Sequence, residues 1–198
     1  MAFNPCEGEP ATPQIKQMRV ITGTARSRTL KTLTGKDTRP TSAQIKESMF
    51  SAIQFKVEGA VVLDLFAGSG QLGIEALSRG AETVFFTDNN MKAVTIIKEN
   101  LKHTQLSEKA KVYRKPHKAF LRLVRDEFDI AFLDPPYSKG LIEKTFPILI
   151  PKMKPNSVIV CEHEKELTLP DLVEGFKIYK IYNYGSISLT IYRNGNTI

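Results

Sequence analysis

Cysteine is scarce in this sequence, whose 198 residues include only Cys6 and Cys161. Neither has a second cysteine or a histidine at the usual spacing of metal ligands, which excludes a disulfide framework and a cysteine-ligated metal site. Cys161 ends the apolar segment 157–161, so we expect a buried thiol. The cysteine content therefore indicates a reducing, cytoplasmic environment and no bound metal.

Long apolar stretches are also missing. None approaches the roughly 20 residues that a membrane-spanning helix needs. The first residues lack the charged and apolar regions of a signal peptide. Hydrophobic residues make up 41% of the chain and charged residues 25%, as in ordinary globular proteins. We therefore expect one domain with a full core and no membrane contact.

Strand and helix patterns alternate from residue 61 onward, which predicts an α/β fold with a mostly parallel sheet covered on both sides. Residues 1–17 contain three prolines and few large apolar residues, which predicts a flexible extension. Residues 18–34 predict a short hairpin or arm, and Thr41 is the expected N-cap of a helix over 42–55. The last two strands should be antiparallel neighbours. The predicted strands are 61–66, 83–88, 110–114, 128–134, 156–162, 176–183 and 186–193.

A rigid turn follows the fourth of these strands, where the apolar run 128–133 stops at Asp134-Pro135-Pro136-Tyr137. Proline fixes φ, lacks an N–H group and forces the residue before it into extended geometry. The turn should therefore present a carboxylate and an unpaired main-chain carbonyl at the mouth of the sheet, followed by an aromatic ring. Two acceptors and a ring suit a planar amine, whereas an ordinary strand-ending turn is the alternative.

A glycine-rich turn follows the first of the predicted strands. Gly68, Gly70 and Gly73 match the G-x-G-x-x-G pattern, in which glycine permits a tight turn and close approach of the backbone to a ligand. Dinucleotide-binding proteins share this pattern. Asp64, at the strand end, would repel a pyrophosphate but would hold an ammonium group, which favours S-adenosylmethionine.

An acid ends the second strand about twenty residues after the glycine turn, as expected for a residue that binds a ribose diol. This residue is Asp88. It would alternatively be a helix N-cap, although Asn89 or Asn90 would serve that purpose as well.

The positive charge of the chain is concentrated near its beginning. The formal net charge is +7, and residues 18–56 contain eight basic and two acidic residues, a balance of +6. A patch of this kind binds nucleic acid phosphates without sequence preference, and the alternative is a solvated basic surface.

These segments resemble the RsmD family, which methylates N2 of one guanine in small-subunit ribosomal RNA. The resemblance extends over residues 18–193. The matching segments are 18–23, 39–41, 46–50, 64–70, 72–80 and 134–137.

The resemblance implies a Rossmann-like class I methyltransferase fold, with a seven-stranded, mostly parallel sheet, a C-terminal antiparallel hairpin and a short N-terminal basic arm. It divides the chain into the extension 1–17, a basic RNA-binding arm and helix over 18–56, and a catalytic domain over 57–198. S-adenosylmethionine is the implied methyl donor. The implied acceptor is the N2 amine of a guanine in 16S ribosomal RNA or a small-subunit assembly particle, modified by a monomer that needs no metal.

The candidate site residues follow from these motifs and the resemblance. Those expected at the reaction are Asp134, Pro135, Pro136 and Tyr137. Those expected at the cofactor are Asp64, Phe66, Ala67, Gly68, Gly70, Asp88, Asn89 and His117. Those expected at the RNA are Arg19, Arg26, Arg28, Lys31, Arg39 and Thr41. No histidine is assigned a catalytic role.

The sequence departs from the family pattern at Asn90, where an acid is usual, at Pro116, where a residue that binds the adenine amine is usual, and over 1–17. Backbone groups or the apolar residues on either side of the ring would then recognise adenine. Two alternatives stay open: an amino-methyltransferase acting on DNA adenine or protein glutamine, and a non-catalytic RNA-binding assembly factor. Asp134 argues against the first, because those enzymes more often have asparagine before the prolines.

Overall fold

The computed structural model describes residues 18–33, 43–136 and 140–195. The strands are β1 Met18–Arg19, β2 Thr29–Leu30, β3 Val61–Asp64, β4 Thr83–Asp88, β5 Ala110–Arg114, β6 Phe128–Leu133, β7 Met153–Glu164, β8 Leu172–Val173, β9 Phe176–Tyr184 and β10 Ile187–Asn194. The helices are α1 Ala43–Ala52, α2 Gln54–Val57, α3 Gln71–Ser78, α4 Met91–Thr104, α5 His117–Leu123 and α6 Leu141–Leu149, with 3₁₀ turns at Ser107–Lys109 and Ile150–Lys152.

The main sheet has the strand order β5-β4-β3-β6-β7-β10-β9-β8. The first five strands in that order are parallel, whereas β10, β9 and β8 are antiparallel to their neighbours. This order confirms the predicted α/β fold and the C-terminal hairpin, in which β9 and β10 are joined through Gly185. The sheet contains one more strand than the seven predicted, because the two-residue β8 pairs with the start of β9.

Two helical layers cover the sheet. One layer contains α1, α3 and α4, whose apolar side chains pack with Val20 and Leu30 of the N-terminal hairpin in one core. The other contains α5 and α6, which pack around Phe128 and Tyr192 in a second core. We call the first of these the arm layer, because β1 and β2, the predicted arm, pack into it.

Several strand ends differ from the prediction by one or two residues, and two larger differences have a local cause. The helix predicted over 42–55 is two helices, because Ile53 leaves helical geometry (φ −115°, ψ 11°) between α1 and α2. Thr41, its expected N-cap, lies outside the described residues. Strand β7 begins at Met153 rather than 156, since Met153 pairs with Phe128 ahead of an irregularity that contains the left-handed Asn156. Proline and asparagine at 155–156 gave this part of the sequence the pattern of a turn.

Candidate active site

The candidate site lies where the order of the sheet reverses. The chain runs from β3 outward to β4 and β5 and then returns to the other side of β3 as β6. In sheets of this kind the carboxyl ends of the strands on either side of the reversal enclose a crevice that binds ligands. Asp64 of β3 is in register with Phe132 of β6, and the Leu65 amide donates to the Phe132 carbonyl over 3.2 Å. The two predicted turns therefore begin side by side.

The glycine turn is held by the end of β4. The Asp88 carboxylate accepts the Gly68 amide through Oδ2 at 3.0 Å and the Asn90 amide through Oδ1 at 2.8 Å. Gly68 and Gly70 have φ of +54° and +78°, which favours glycine at both positions. Asn90 is the N-cap of α4, because its side chain accepts the Lys92 amide. Asp88 thus fixes the turn and leaves the cap to Asn90.

Asp64 is almost completely buried, with 2% of its surface exposed. Its Oδ2 accepts the Gly73 amide at 2.9 Å, which fixes the start of α3 against β3. Burial raises the pKa of this carboxyl to about 7, although the Gly73 bond opposes the change, and the charge of Asp88 adds to it. A cation placed beside Asp64 would reverse the shift, so the residue is suited to bind an ammonium group.

Two aromatic rings meet beside this turn. The rings of Phe66 and His117 lie 4.9 Å apart between centroids and are tilted by 43°. Burial lowers the pKa of His117, and the neighbouring Lys118 charge lowers it further. Its Nε2 is buried and has no hydrogen-bond partner among the described residues. A buried ring nitrogen without a partner is suited to bind a polar group of a ligand.

The second turn follows β6 directly. Asp134 is half-buried, Pro135 is buried and Pro136 is exposed. The short step from Phe132 to Asp134 places this carboxylate at the same sheet edge as Asp64 and Asp88. Tyr137 lies outside the described residues.

Glu75 on α3 was missed by the sequence reasoning. Its carboxylate accepts the amides of Ile21 at 2.8 Å and Thr22 at 3.0 Å, and it forms an ion pair with Arg79 at 2.9 Å. Glu75 is completely buried. An acid in the middle of the apolar helix 72–77 was the available signal, because buried acids require partners. This residue anchors the predicted arm to α3, the helix that follows the glycine turn.

Lys46 is the buried partner of Glu75. The two side chains are 3.1 Å apart, and the Lys46 ammonium also donates to the Arg19 carbonyl at 2.7 Å. Only 2% of the lysine is exposed, and burial lowers its pKa while the charge of Glu75 raises it. Lys46 was counted in the basic patch, but it is an internal charge that RNA phosphates cannot reach.

The arm residues differ in their surroundings. Arg28 donates to the His103 carbonyl at 2.6 Å and to Gln105 at 3.2 Å. Lys31 forms an exposed ion pair with Glu99 at 2.7 Å, so an acid that is distant in the sequence lies beside this arm residue.

The remaining RNA candidates fall into two groups. The side chains of Arg19 and Arg26 are exposed. Arg39 and Thr41 lie outside the described residues.

Asn100 of α4 connects the arm to the glycine turn by hydrogen bonds. Its Oδ1 accepts the Lys31 amide at 2.8 Å, and its Nδ2 donates to the Lys31 carbonyl at 3.0 Å and to the Ser69 carbonyl at 2.9 Å. The side chain is 1% exposed. The arm is therefore fixed to the glycine turn through Asn100 at Ser69, and to the helix that follows this turn through Glu75 on α3.

Two classes of feature are missing from the part of the chain that the structure describes. It contains no helix long and apolar enough to span a membrane. Within the same residues, no group of three or more histidine, cysteine, aspartate or glutamate side chains is arranged to hold a metal ion.

Comparisons with known proteins place the chain among close relatives. Residues 18–193 match the family described as "Conserved hypothetical protein 95". The chain is 39% identical to the Bacillus subtilis protein named "Putative rRNA methyltransferase YlbH", over 89% of this chain and 98% of that protein. It is 35% identical to "Ribosomal RNA small subunit methyltransferase D" of Haemophilus influenzae, over 92% of this chain and 97% of that protein.

A solved structure gives the same result. The protein described as "Putative methyltransferase yhhF from Escherichia coli" matches with a TM-score of 0.79 and 29% identity, over 91% of this chain and 99% of that chain. The family match over residues 18–193 spans the arm, the glycine turn and the turn after β6.

Proposed function

This chain belongs to the RsmD family, described as conserved hypothetical protein 95, and from that premise we propose that it methylates the exocyclic N2 amine of a guanine in 16S ribosomal RNA. As a class, it is an S-adenosylmethionine-dependent ribosomal RNA methyltransferase. The observation that carries the proposal is the adjacency of two acidic turns, since Asp64 and the strand that delivers Asp134 are in register at the reversal point of the sheet.

The residues of the crevice fit S-adenosylmethionine, which when bound supplies a methyl group activated by a sulfonium. The Asp64 carboxylate would hold the ammonium group, and Asp88 would accept hydrogen bonds from the ribose hydroxyls. The tilted pair of Phe66 and His117 would hold the adenine ring, and the buried Nε2 of His117 would gain the partner that it lacks. Pro116 precedes this histidine and leaves adenine recognition to ring contacts and backbone groups.

The turn after β6 would orient the amine. The N2 lone pair of guanine is conjugated with the ring, which makes the amine a poor nucleophile. Hydrogen bonds from its two N–H groups to the Asp134 carboxylate and the Pro135 carbonyl would aim the lone pair at the methyl group. Such positioning lowers the barrier because it replaces a chance encounter with a fixed geometry. Asp134 would also accept the amine proton late in the reaction.

The target base has to leave its helix or loop to reach this turn. Tyr137 is suited to stack on the extruded base, as aromatic side chains do in enzymes that act on bases. The exposed Arg19 and Arg26 would hold phosphates on the arm. We place the reaction in the cytoplasm, carried out by a monomer on 16S ribosomal RNA or a small-subunit assembly particle.

The test measures N2-methylguanosine by mass spectrometry in 16S ribosomal RNA, free or in small subunits from a strain that lacks the enzyme. The native chain should produce it, and Asp134→Ala should reduce turnover by orders of magnitude while cofactor affinity stays unchanged. Asp126→Ala is the matched control, since this exposed acid precedes β6 at the opposite edge of the sheet. Near-native turnover in Asp134→Ala would refute the role of the turn. Parallel assays with DNA and with protein substrates test the alternatives, and methylated adenine or methylated glutamine there would identify a different acceptor.

A further inference from the structure

A strip of alternating aromatic and basic side chains lies on the C-terminal hairpin, outside the site described above. The rings of Tyr182 and Tyr184 are stacked, with centroids 6.4 Å apart and planes 17° apart. The Lys180 ammonium lies 4.8 Å from the centre of the Tyr182 ring, and the Arg193 guanidinium lies 3.4 Å from the centre of the Tyr179 ring. We call Tyr179, Lys180, Tyr182, Tyr184 and Arg193 the tyrosine ladder.

The ladder faces the same side of the sheet as the arm. Tyr182 packs against the core of the arm layer, and Arg193 donates to the Ala52 carbonyl of α1 at 3.1 Å. An irregularity in the pairing of β9 with β10 leaves Tyr179 as an extra residue between Ile178 and Lys180. A bulge of this kind redirects a side chain. Tyr179 and Tyr182 can therefore both belong to one surface, although they are three residues apart.

The charge of this hairpin has one sign. Between Phe176 and Asn194 the sequence has Lys177, Lys180 and Arg193 but no aspartate or glutamate. Three of the six tyrosines of the chain belong to the ladder. Tyr179 is 48% exposed, and Tyr182 and Tyr184 are half-buried. The rings are therefore accessible to a ligand while their packing holds them in place. Positive charge alternating with accessible rings is the arrangement that binds single-stranded nucleic acid, because phosphates meet the cations and bases stack on the rings.

The ladder is also placed within reach of the reaction. Leu133, Cys161, Thr190 and Ile181 form one row across β6, β7, β10 and β9. Three strand spacings separate the ends of that row, about 14 Å. Tyr182 and Tyr184 follow Ile181 toward the edge of the sheet at which Asp134 follows Leu133. A short RNA segment next to the methylated nucleotide can span this distance.

We propose that the tyrosine ladder is a second RNA-binding surface, which stacks unpaired bases of the substrate on one flank of the methylated guanine while the arm, on the same face of the sheet, holds phosphates on the other flank of that guanine. This inference rests on the proposed function and identifies a base-stacking contact with RNA that the basic arm does not provide. Strand β8 pairs only with Phe176 and Lys177, so the rest of β9 lies at the edge of the sheet. Sheet edges also pair with a second copy of the same chain, and that outcome is part of the test.

The first experiment uses a fluorescent reporter, because the chain has no tryptophan. Tyr184→Trp should be quenched when a single-stranded oligouridine or 16S ribosomal RNA is added, since a stacked base quenches indole. Ile181→Trp is the matched control, because Ile181 lies between Lys180 and Tyr182 on the strand and therefore faces the opposite layer. Equal quenching of the two reporters, or none in either while RNA binds, would overturn the proposal.

The second experiment separates stacking from charge. Tyr182→Leu with Tyr184→Leu keeps apolar packing and should weaken RNA binding about five- to hundredfold without changing its salt dependence. Lys180→Ala should reduce the slope of log affinity against log salt by about 0.7. Lys109 is an exposed lysine ahead of β5, and Lys109→Ala should leave both the RNA affinity and its salt slope unchanged. Thermal unfolding of each variant checks that the fold is retained.

The outcomes distinguish this inference from the proposed function. If the native chain methylates 16S ribosomal RNA while the ladder variants bind it as tightly and with the same salt slope, the ladder proposal is wrong and the proposed function stands. If the variants change only the sedimentation coefficient of the protein without RNA, the surface is a contact between two copies of the chain and the RNA proposal is overturned. If the native chain neither binds nor methylates RNA, the proposed function fails first.

Discussion

The burial of Asp64 predicts that cofactor binding releases a proton near neutral pH. In the free protein the pKa of this carboxyl is raised to about 7, so it is mostly protonated at pH 5.5. An ammonium group bound beside it would lower the pKa toward its ordinary value of 3.8. The complex then holds fewer protons than the free protein, and binding strengthens as the pH rises.

The magnitude follows from the size of the shift. A return from about 7 to the ordinary range is about 3 units, which corresponds to roughly 4 kcal/mol of interaction as an upper limit. While the free carboxyl is protonated, the association constant should rise about tenfold for each pH unit and level off above pH 7. Between pH 5.5 and 7.5 we expect S-adenosylmethionine to bind about 25-fold more tightly.

Isothermal calorimetry measures both the affinity for S-adenosylmethionine and the number of protons released on binding. Titrations in two buffers with different ionisation enthalpies give the number of protons released, which should approach one below pH 7. Asp64→Asn is the matched variant, because its side-chain oxygen still accepts the Gly73 amide but has no charge to gain. Asp64→Asn should bind S-adenosylmethionine weakly, and its affinity should change with pH only through the ionisation of the ligand itself. Subtracting the pH profile of this variant from that of the native protein therefore isolates the contribution of Asp64.

The same shift affects stability without cofactor. Between pH 3.8 and about 7 the folded chain holds a proton on Asp64 that the unfolded chain has lost, so this group lowers the free energy of unfolding by up to about 1.4 kcal/mol per pH unit as the pH rises. Asp64→Asn should remove that slope. Cofactor affinity that is flat from pH 5.5 to 7.5, and equal in Asp64→Asn, would mean that Asp64 only fixes the start of α3.

Three further predictions concern the core and the arm. Glu75→Gln should lower the free energy of unfolding in urea by about 3 to 5 kcal/mol, because the buried Lys46 ammonium loses its counter-ion; a loss below about 1 kcal/mol would contradict this. Gly73→Ala should cost about 1 to 3 kcal/mol in thermal unfolding, because a Cβ there would overlap the buried Phe86 ring; an unchanged melting temperature would show that the ring can move. Arg26→Ala should flatten the slope of log RNA affinity against log salt by about 0.7 to 0.9 without changing cofactor affinity, and an unaltered slope would mean that this exposed arginine does not contact phosphate.

The sequence determined the parts of the fold that depend on neighbouring residues. The strand and glycine turn from Val61 to Gly70 could be read directly, because positive φ favours glycine and a buried parallel strand is a continuous apolar run. The alternation of strands and helices predicted a mostly parallel sheet. The strand order, and with it the side-by-side placement of the turns that contain Asp64 and Asp134, depends on how the strands pair and came from the structure.

Only the tertiary structure decided which charged residues face water. Lys46 and Lys31 look alike in the sequence, yet the first is buried against Glu75 and the second forms an ion pair on the surface. These partners are separated by 29 and 68 residues, so no local pattern reports them. The two-residue strand β8 escaped prediction for the same reason, since it depends on pairing with β9 rather than on its own residues.

The tyrosine ladder shows the same division. The sequence placed Tyr179, Lys180 and Tyr182 on one strand, where strict alternation would put Tyr179 on the opposite face from Tyr182. The irregular pairing with β10 places Tyr179 against Arg193 instead, on the side of α1. Local preference determines whether a segment is a strand, but which face a side chain occupies depends on its register with a partner strand, and that register is set by packing across the whole sheet.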